Sequence, residues 1–183
     1  DEIMSTEQLI EWFDIDDINK SAARFDFKKL DDLNGHYIRS ADNAELLARI
    51  KAMLPHHDYK ALSELPLDPK APARADVALA KDVLAQISGV STGADLAARF
   101  NQAGWDKLAA AIPSLKERAK TLAELVAGAL FIVAKRPLKP DDKAIKLLSA
   151  EGRASNAAIS SVLKSVPDWQ APALEAAVKS YAE

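Results

Sequence analysis

Through segment after segment of this chain, apolar residues recur three and four positions apart. Nowhere do they alternate with polar ones over the length of a strand. That period belongs to helices with one buried face, so the expected fold is all-α, a helical bundle. Start and stop signals divide it. Ser5 and Gln8 read as a capping box for a first helix that turns Leu9, Trp12 and Phe13 inward. Asp26 can cap a second, in which Asn34-Gly35 either ends the helix or marks a close approach of its backbone. Ser40 or Asp42 opens a third, apolar at Leu46, Leu47, Ile50, Met53 and Leu54, and Pro55 ends it.

Residues 55–73 carry four of the nine prolines and no sustained period, so a connector lying on the surface is expected there. Helices should follow over 74–88, ended by Gly89, and over 94–103, ended by Gly104. Another should cover 105–119, where Pro113 is expected to kink or divide it. Thr121 with Glu124 reads as a second capping box, opening a strongly apolar helix from Leu122 to Val133 that stops near Pro137. This helix is the expected centre of the core. Three shorter helices are expected at 141–150, broken at Gly152, then at 154–165 and at 169–181.

A chain of 183 residues can bury roughly 70% of its unfolded surface, enough for a core without staples. It has no cysteine, which excludes disulfides and thiolate metal sites and suits a reducing compartment. No apolar run is long enough for a membrane span and the N-terminal stretch has no signal-peptide pattern, so a cytoplasmic protein is expected. The chain opens without methionine and stops within an amphipathic pattern, which reads as an excised fragment. Asp14, Asp16 and Asp17 suggest a calcium loop, but Asn19 stands where glycine is required and Phe25 where the bidentate glutamate belongs. His56-His57 has too few companion ligands for zinc. Phosphate-cradling loops, nucleophile elbows and helical HExxH pairs are all missing from the sequence.

Charge is distributed unevenly. Seven acids and no base fall within residues 1–19, leaving 24 bases against 20 acids over the remainder, a net +4. Between Pro113 and Lys143 seven bases face four acids, and Lys116, Arg118 and Lys120 stand together at a helix boundary. Lysine offers a mobile point charge to phosphate, and the planar arginine fork can hold a base edge. The same cations would also sit well at a helix end with no ligand at all. From Glu11 to Arg39, aromatic and aliphatic anchors (Trp12 and Phe13, then Phe25, Phe27, Leu30, Leu33 and Tyr37) form an apolar stripe. Lys20, Arg24, Lys28, Lys29 and Arg39 are left for another face.

Those residues also carry a resemblance. Glu11 to Phe13, Asn19-Lys20-Ser21, Arg24-Phe25-Asp26, Lys29-Leu30, Leu33-Asn34 and Tyr37-Ile38-Arg39 resemble, in order, one segment of bacterial glutamyl-tRNA synthetase. In that family the segment lies downstream of the KMSKS loop, in the part that contacts the tRNA stem. Leu115 to Leu125 resembles the segment bearing an anticodon-reading arginine, which falls at Arg118. Asp168-Trp169 and Ala173 to Ala176 resemble the helix ahead of the terminal anticodon domain. Over residues 55–105 the likeness is poor.

The resemblance implies that residues 1–40 are the end of a stem-contact domain and 41–183 a helical anticodon-binding domain. Lys20, Lys29 and Arg39 would then face the tRNA stem backbone, and Arg118, flanked by Lys116 and Lys120, the anticodon loop. The implied partner is tRNA-Glu, with tRNA-Gln left open; neither DNA nor membrane is implied, and the chain is expected to be monomeric. The HIGH and KMSKS signatures are absent, so the segment itself is expected to be non-catalytic and without cofactor. The parent enzyme would join glutamate to tRNA with ATP and Mg2+. A helical protein-interaction module is the alternative.

Overall fold

The computed structural model describes residues 3–18, 26–66, 74–138, 142–147, 150–167 and 169–182. All the regular elements among them are helical, as the periodicity predicts. The chain forms two compact units, Asp1–Leu138 and Lys139–Glu183.

In the first unit the order is α1 (Thr6–Trp12), α2 (Phe27–Ser40), α3 (Asn43–Met53), α4 (Tyr59–Ser63), α5 (Ala75–Gln86), α6 (Gly93–Arg99), α7 (Gln102–Leu115) and α8 (Leu122–Ala129). Short 3-10 turns cover Ile15–Asp17, Leu54–His56 and Leu130–Ile132. The predicted caps set the starts. Ser5 and Gln8 make a full capping box, Asp26 accepts from the backbone of Lys29, and Asp42 accepts from Ala44 and Glu45. The core is one continuous cluster that includes Leu46, Ile50 and Leu54 from the α3 segment and Leu79 and Val83 of α5. Leu96, Phe100, Leu108 and Ile112 join them, with Leu125 and Val126 of α8.

Several expectations are corrected. The stretch from 55 to 66 does more than lie against the surface, for it carries α4 and an anchor in the core. Tyr59 is fully buried, and its N–H donates to the carbonyl of Ser91 at 3.0 Å. Gly93 donates to the carbonyl of His57 at 2.7 Å, and a Cβ on Gly93 would overlap the Leu54 carbonyl, so this crossing needs glycine. The remainder of that stretch, 67–73, lies outside the described residues.

Gly104 does not end a helix. Asn101 accepts from its N–H and starts α7, which leaves Gly104 buried in the first turn against Phe100. Pro113 does not divide α7. It falls in the last turn, where the one missing N–H bond is tolerated because Leu108 and Ile112 are fully buried on the inner face. Trp12 and Phe13 do not face inward: they are 60% and 67% exposed, and α1 buries no residue. Phe27, Leu30 and Tyr37 are exposed as well, so α2 docks through Gly35 and Ile38 rather than through the aromatic stripe. Phe25, the remaining aromatic of that stripe, lies outside the described residues.

The second unit holds α9 (Asp142–Leu147), α10 (Ala150–Lys164) and α11 (Ala171–Ala182), and α10 packs on α11. Gly152 lies inside α10 instead of breaking it. A single interior glycine costs about 1 kcal/mol, too little to stop a helix held by an apolar face. Ile159, Val162 and Leu163 supply that face, each partly buried.

Candidate nucleic-acid interface

The turn from Lys116 to Lys120 joins α7 to α8. It is pinned from within: Arg118 and Ala119 both donate backbone N–H groups to the carbonyl of Leu115, and the Ala119 side chain is buried. Thr121 caps α8 by accepting from Glu124 N–H at 3.1 Å. The predicted capping box is only half made, because the Glu124 carboxylate reaches one residue further back and accepts from Lys120 N–H at 2.7 Å. The effect is to fix the turn on both flanks.

Its three cations have different environments. The Lys116 ammonium donates to the carbonyl of Ala41 at 3.0 Å, and Ala41 is the C-cap of α2. A cation at a helix C-terminus meets both an orphan carbonyl and the negative end of the helix dipole. Lys120 reaches α2 as well, pairing with Asp32 at 2.8 Å. The bond to Lys120 holds the Asp32 carboxyl below its ordinary value, helped by the charges of Lys120, Lys28 and Arg39, while Asp32 raises Lys120 in return. Both groups face solvent, so the pair orders the surface more than it stabilises the fold. Arg118 is exposed and has no side-chain partner among the described residues.

On α2, Lys28, Asp32, Gly35 and Arg39 fall at helical spacing along one face. Gly35 is buried there because the Arg39 guanidinium folds back over it and the Lys120 stem lies across it: a Cβ would meet Arg39 Nη1 at 3.1 Å and Lys120 Cγ at 3.5 Å. Of the two sequence readings of Asn34-Gly35, close approach is therefore the one realised. The structure thus brings Lys116, Arg118, Lys120 and Arg39 to one corner of the first unit. Lys29 is exposed on the first turn of α2, one position off that face, and Lys20 lies outside the described residues. Sequence reasoning flagged Gly35 as a possible close approach but missed Asp32 as the seat of this corner. The spacing from Lys28 through Asp32 to Arg39 was readable, but a partner 88 residues away leaves no local trace.

Beside the corner, a cleft of about 840 Å³ opens between α2, α3 and the starts of α5 and α8. Tyr37, Arg49, His57, Asp76 and Lys120 are among its lining residues. No group of acids and histidines among the described residues is placed to hold a metal ion. No helix among them is long and apolar enough to cross a membrane.

A surface corner of this kind can take a polyanion at the lysines and an unpaired base edge at the exposed arginine fork. Comparison with known proteins points the same way. The profile of the family described as anticodon binding domain matches residues 77–183. Over all 183 residues the chain is 44% identical to glutamate–tRNA ligase 2 of Brucella ovis and of Brucella canis, and to glutamate–tRNA ligase 1 of Brucella melitensis. It spans 32% of the length of those relatives. No solved structure matches it. Matched by that profile over more than half its length, and similar from end to end to a portion of glutamate–tRNA ligases, the chain belongs to the anticodon binding domain family.

Proposed function

We propose that this chain is the tRNA-binding portion of a glutamyl-tRNA synthetase, and that Arg118 reads a base of the anticodon. The observation that carries the reading is the contrast within the turn: Lys116 and Lys120 are tied back to α2, while Arg118 is left exposed between them. A turn held on both flanks, with one guanidinium exposed and without a partner among the described residues, presents a planar donor fork at low ordering cost. Anticodon bases are splayed out in such complexes and offer their Watson–Crick edges to a fork of this kind. Residues 1–40 belong to the end of a stem-contact domain, with Lys20, Lys29 and Arg39 toward the stem backbone, and 41–183 to the anticodon-binding domain.

In this reading the chain performs no chemistry. The whole cytoplasmic enzyme would ligate glutamate to tRNA-Glu with ATP and Mg2+, in a part of the protein that carries the HIGH and KMSKS signatures. The chain acts as a monomer that holds and orients the tRNA.

The test is a binding titration of the chain against tRNA-Glu, tRNA-Gln and an unrelated tRNA at two salt concentrations, with Arg118→Ala alongside. Binding should weaken steeply with salt, as phosphate contacts require. Arg118→Ala should narrow the preference for the cognate anticodon while leaving the salt slope almost intact. Salt-independent binding, or a preference untouched by Arg118→Ala, would reject the assignment.

A further inference from the structure

A second concave surface on the first unit, of about 490 Å³, lies between α7 and the chain that follows α8. On α7, Lys107, Ala110 and Ala111 stand three and four residues apart, so they share one face, which flanks the buried one of Leu108 and Ile112. The small alanines leave a shallow floor. Across from them the 3-10 turn Leu130–Ile132 sends Leu130 into the core and leaves Phe131 48% exposed. Arg136 closes the far rim, none of the described residues that line the groove is acidic, and Lys135 adds an exposed cation next to it.

Phe131, exposed between two cations, stands in a different setting from the exposed Trp12, Phe13 and Tyr37. Trp12 and Phe13 stand in the acidic N-terminal stretch, where a phosphate would be repelled. Tyr37 lines a cleft that also contains Glu45 and Asp76. At Phe131 an apolar ring coincides with Lys107 and Arg136 on the lining, and that is the pairing a single-stranded nucleic acid needs. Bases stack on an aromatic face without regard to sequence, while the flanking backbone is held by point charges. A peptide or a second copy of the chain would have to bring acidic side chains into register with both Lys107 and Arg136, whereas a nucleic-acid strand carries a phosphate on either side of every base.

We infer that this groove is a nucleotide-stacking site: Phe131 carries one unstacked base of single-stranded RNA, and Lys107 and Arg136 hold the phosphates on either side. The inference extends the RNA-binding reading of the chain to a second place on its surface, and it assigns no base specificity there.

The test uses the full chain and an unstructured heptaribonucleotide, with a duplex RNA of equal charge for comparison. The wild type should bind the single strand in preference to the duplex. Phe131→Ala should weaken single-strand binding about tenfold, with Phe131→Trp restoring or exceeding it. Lys107→Gln and Arg136→Gln should each flatten the salt slope by about 0.7. A photoreactive uridine in the heptamer should crosslink at Phe131. Absence of heptamer binding by the wild type would overturn the inference, and so would equal binding by Phe131→Ala. Loss of self-association in Phe131→Ala with RNA binding unchanged would show a protein contact instead. Failure of Arg118→Ala to alter anticodon preference, with heptamer binding still dependent on Phe131, would remove the anticodon assignment and leave this site standing. The opposite pattern would remove this site alone.

Discussion

Asp32 and Lys120, 88 positions apart in the chain, meet at 2.8 Å and fasten the α7–α8 turn to the face of α2. The carboxylate sits among Lys28, Arg39 and Lys120, so it neutralises part of the cationic corner that faces solvent. For Lys120 to meet an RNA phosphate, it must share or leave Asp32. Asp32→Asn should therefore raise affinity for tRNA about threefold at low salt and steepen the salt slope by about one. The melting temperature should barely change, because the pair is exposed on both sides. Filter binding over a salt series with a parallel thermal melt checks both halves; unchanged affinity would show that Lys120 takes no part in binding.

Lys116 and Arg118, two residues apart, should separate cleanly by assay. Lys116→Ala removes the ammonium that caps the Ala41 carbonyl at the end of α2, and should cost about 1 kcal/mol of stability by denaturant titration. Arg118→Ala removes a side chain with no partner among the described residues, and should lie within about 0.5 kcal/mol of wild type. Only the second should change the discrimination among tRNAs. A stability loss in Arg118→Ala equal to that in Lys116→Ala would mean that the guanidinium helps to hold the fold.

Gly93→Ala should be the most damaging single-methyl change in the first unit. The added Cβ would overlap the carbonyl of Leu54, a backbone atom held by the fully buried Leu54 side chain and by its own bond from His57 N–H. Neither segment can retreat without opening the contact between Tyr59 and Ser91. A loss of about 3 kcal/mol or more is expected by urea unfolding. A near-neutral result would show that the crossing of these two segments is not tightly packed.

How much of this was readable beforehand depends on the range of the interactions. Caps are local, so Ser5, Asp26, Asp42 and Thr121 marked helix starts correctly from a few neighbouring residues. Glycine was misread twice, at Gly104 and Gly152, because a helix with a good apolar face tolerates one. The 55–66 stretch lacked periodicity because its packing relies on Tyr59 and on backbone bonds to Ser91 and Gly93, which no hydrophobic pattern encodes. The anchoring of Lys116 and Lys120 on α2 was equally invisible, as each partner lies more than 70 residues away. Exposure of Trp12 and Phe13 was the reverse error, an apolar stripe taken for a buried one.

Asp95 supplies a pH dependence that can be isolated. Its carboxylate accepts from Ser91 N–H at 3.0 Å and Thr92 N–H at 2.9 Å, with the Ser91 hydroxyl as a further donor. Thr92 caps α6 in return by accepting from Asp95 N–H at 3.1 Å. The bonds from the Ser91 and Thr92 backbones, followed by those from their hydroxyls, hold the carboxyl down at about 2 from an ordinary 3.8. Because the folded value is the lower one, the contribution to stability is complete above 3.8 and is lost as the pH falls from there to about 2. Asp95→Asn keeps an acceptor oxygen but cannot titrate. It should be less stable than wild type at pH 5 and above, and the gap between the two melting temperatures should close as the pH falls to 2. Other depressed carboxylates, Asp32 and Asp76 among them, are present in both proteins and cancel in that difference. A gap that stayed constant from pH 5 to 2 would show that the carboxylate charge contributes nothing at this cap and that the α6 start depends on the Thr92 hydroxyl alone.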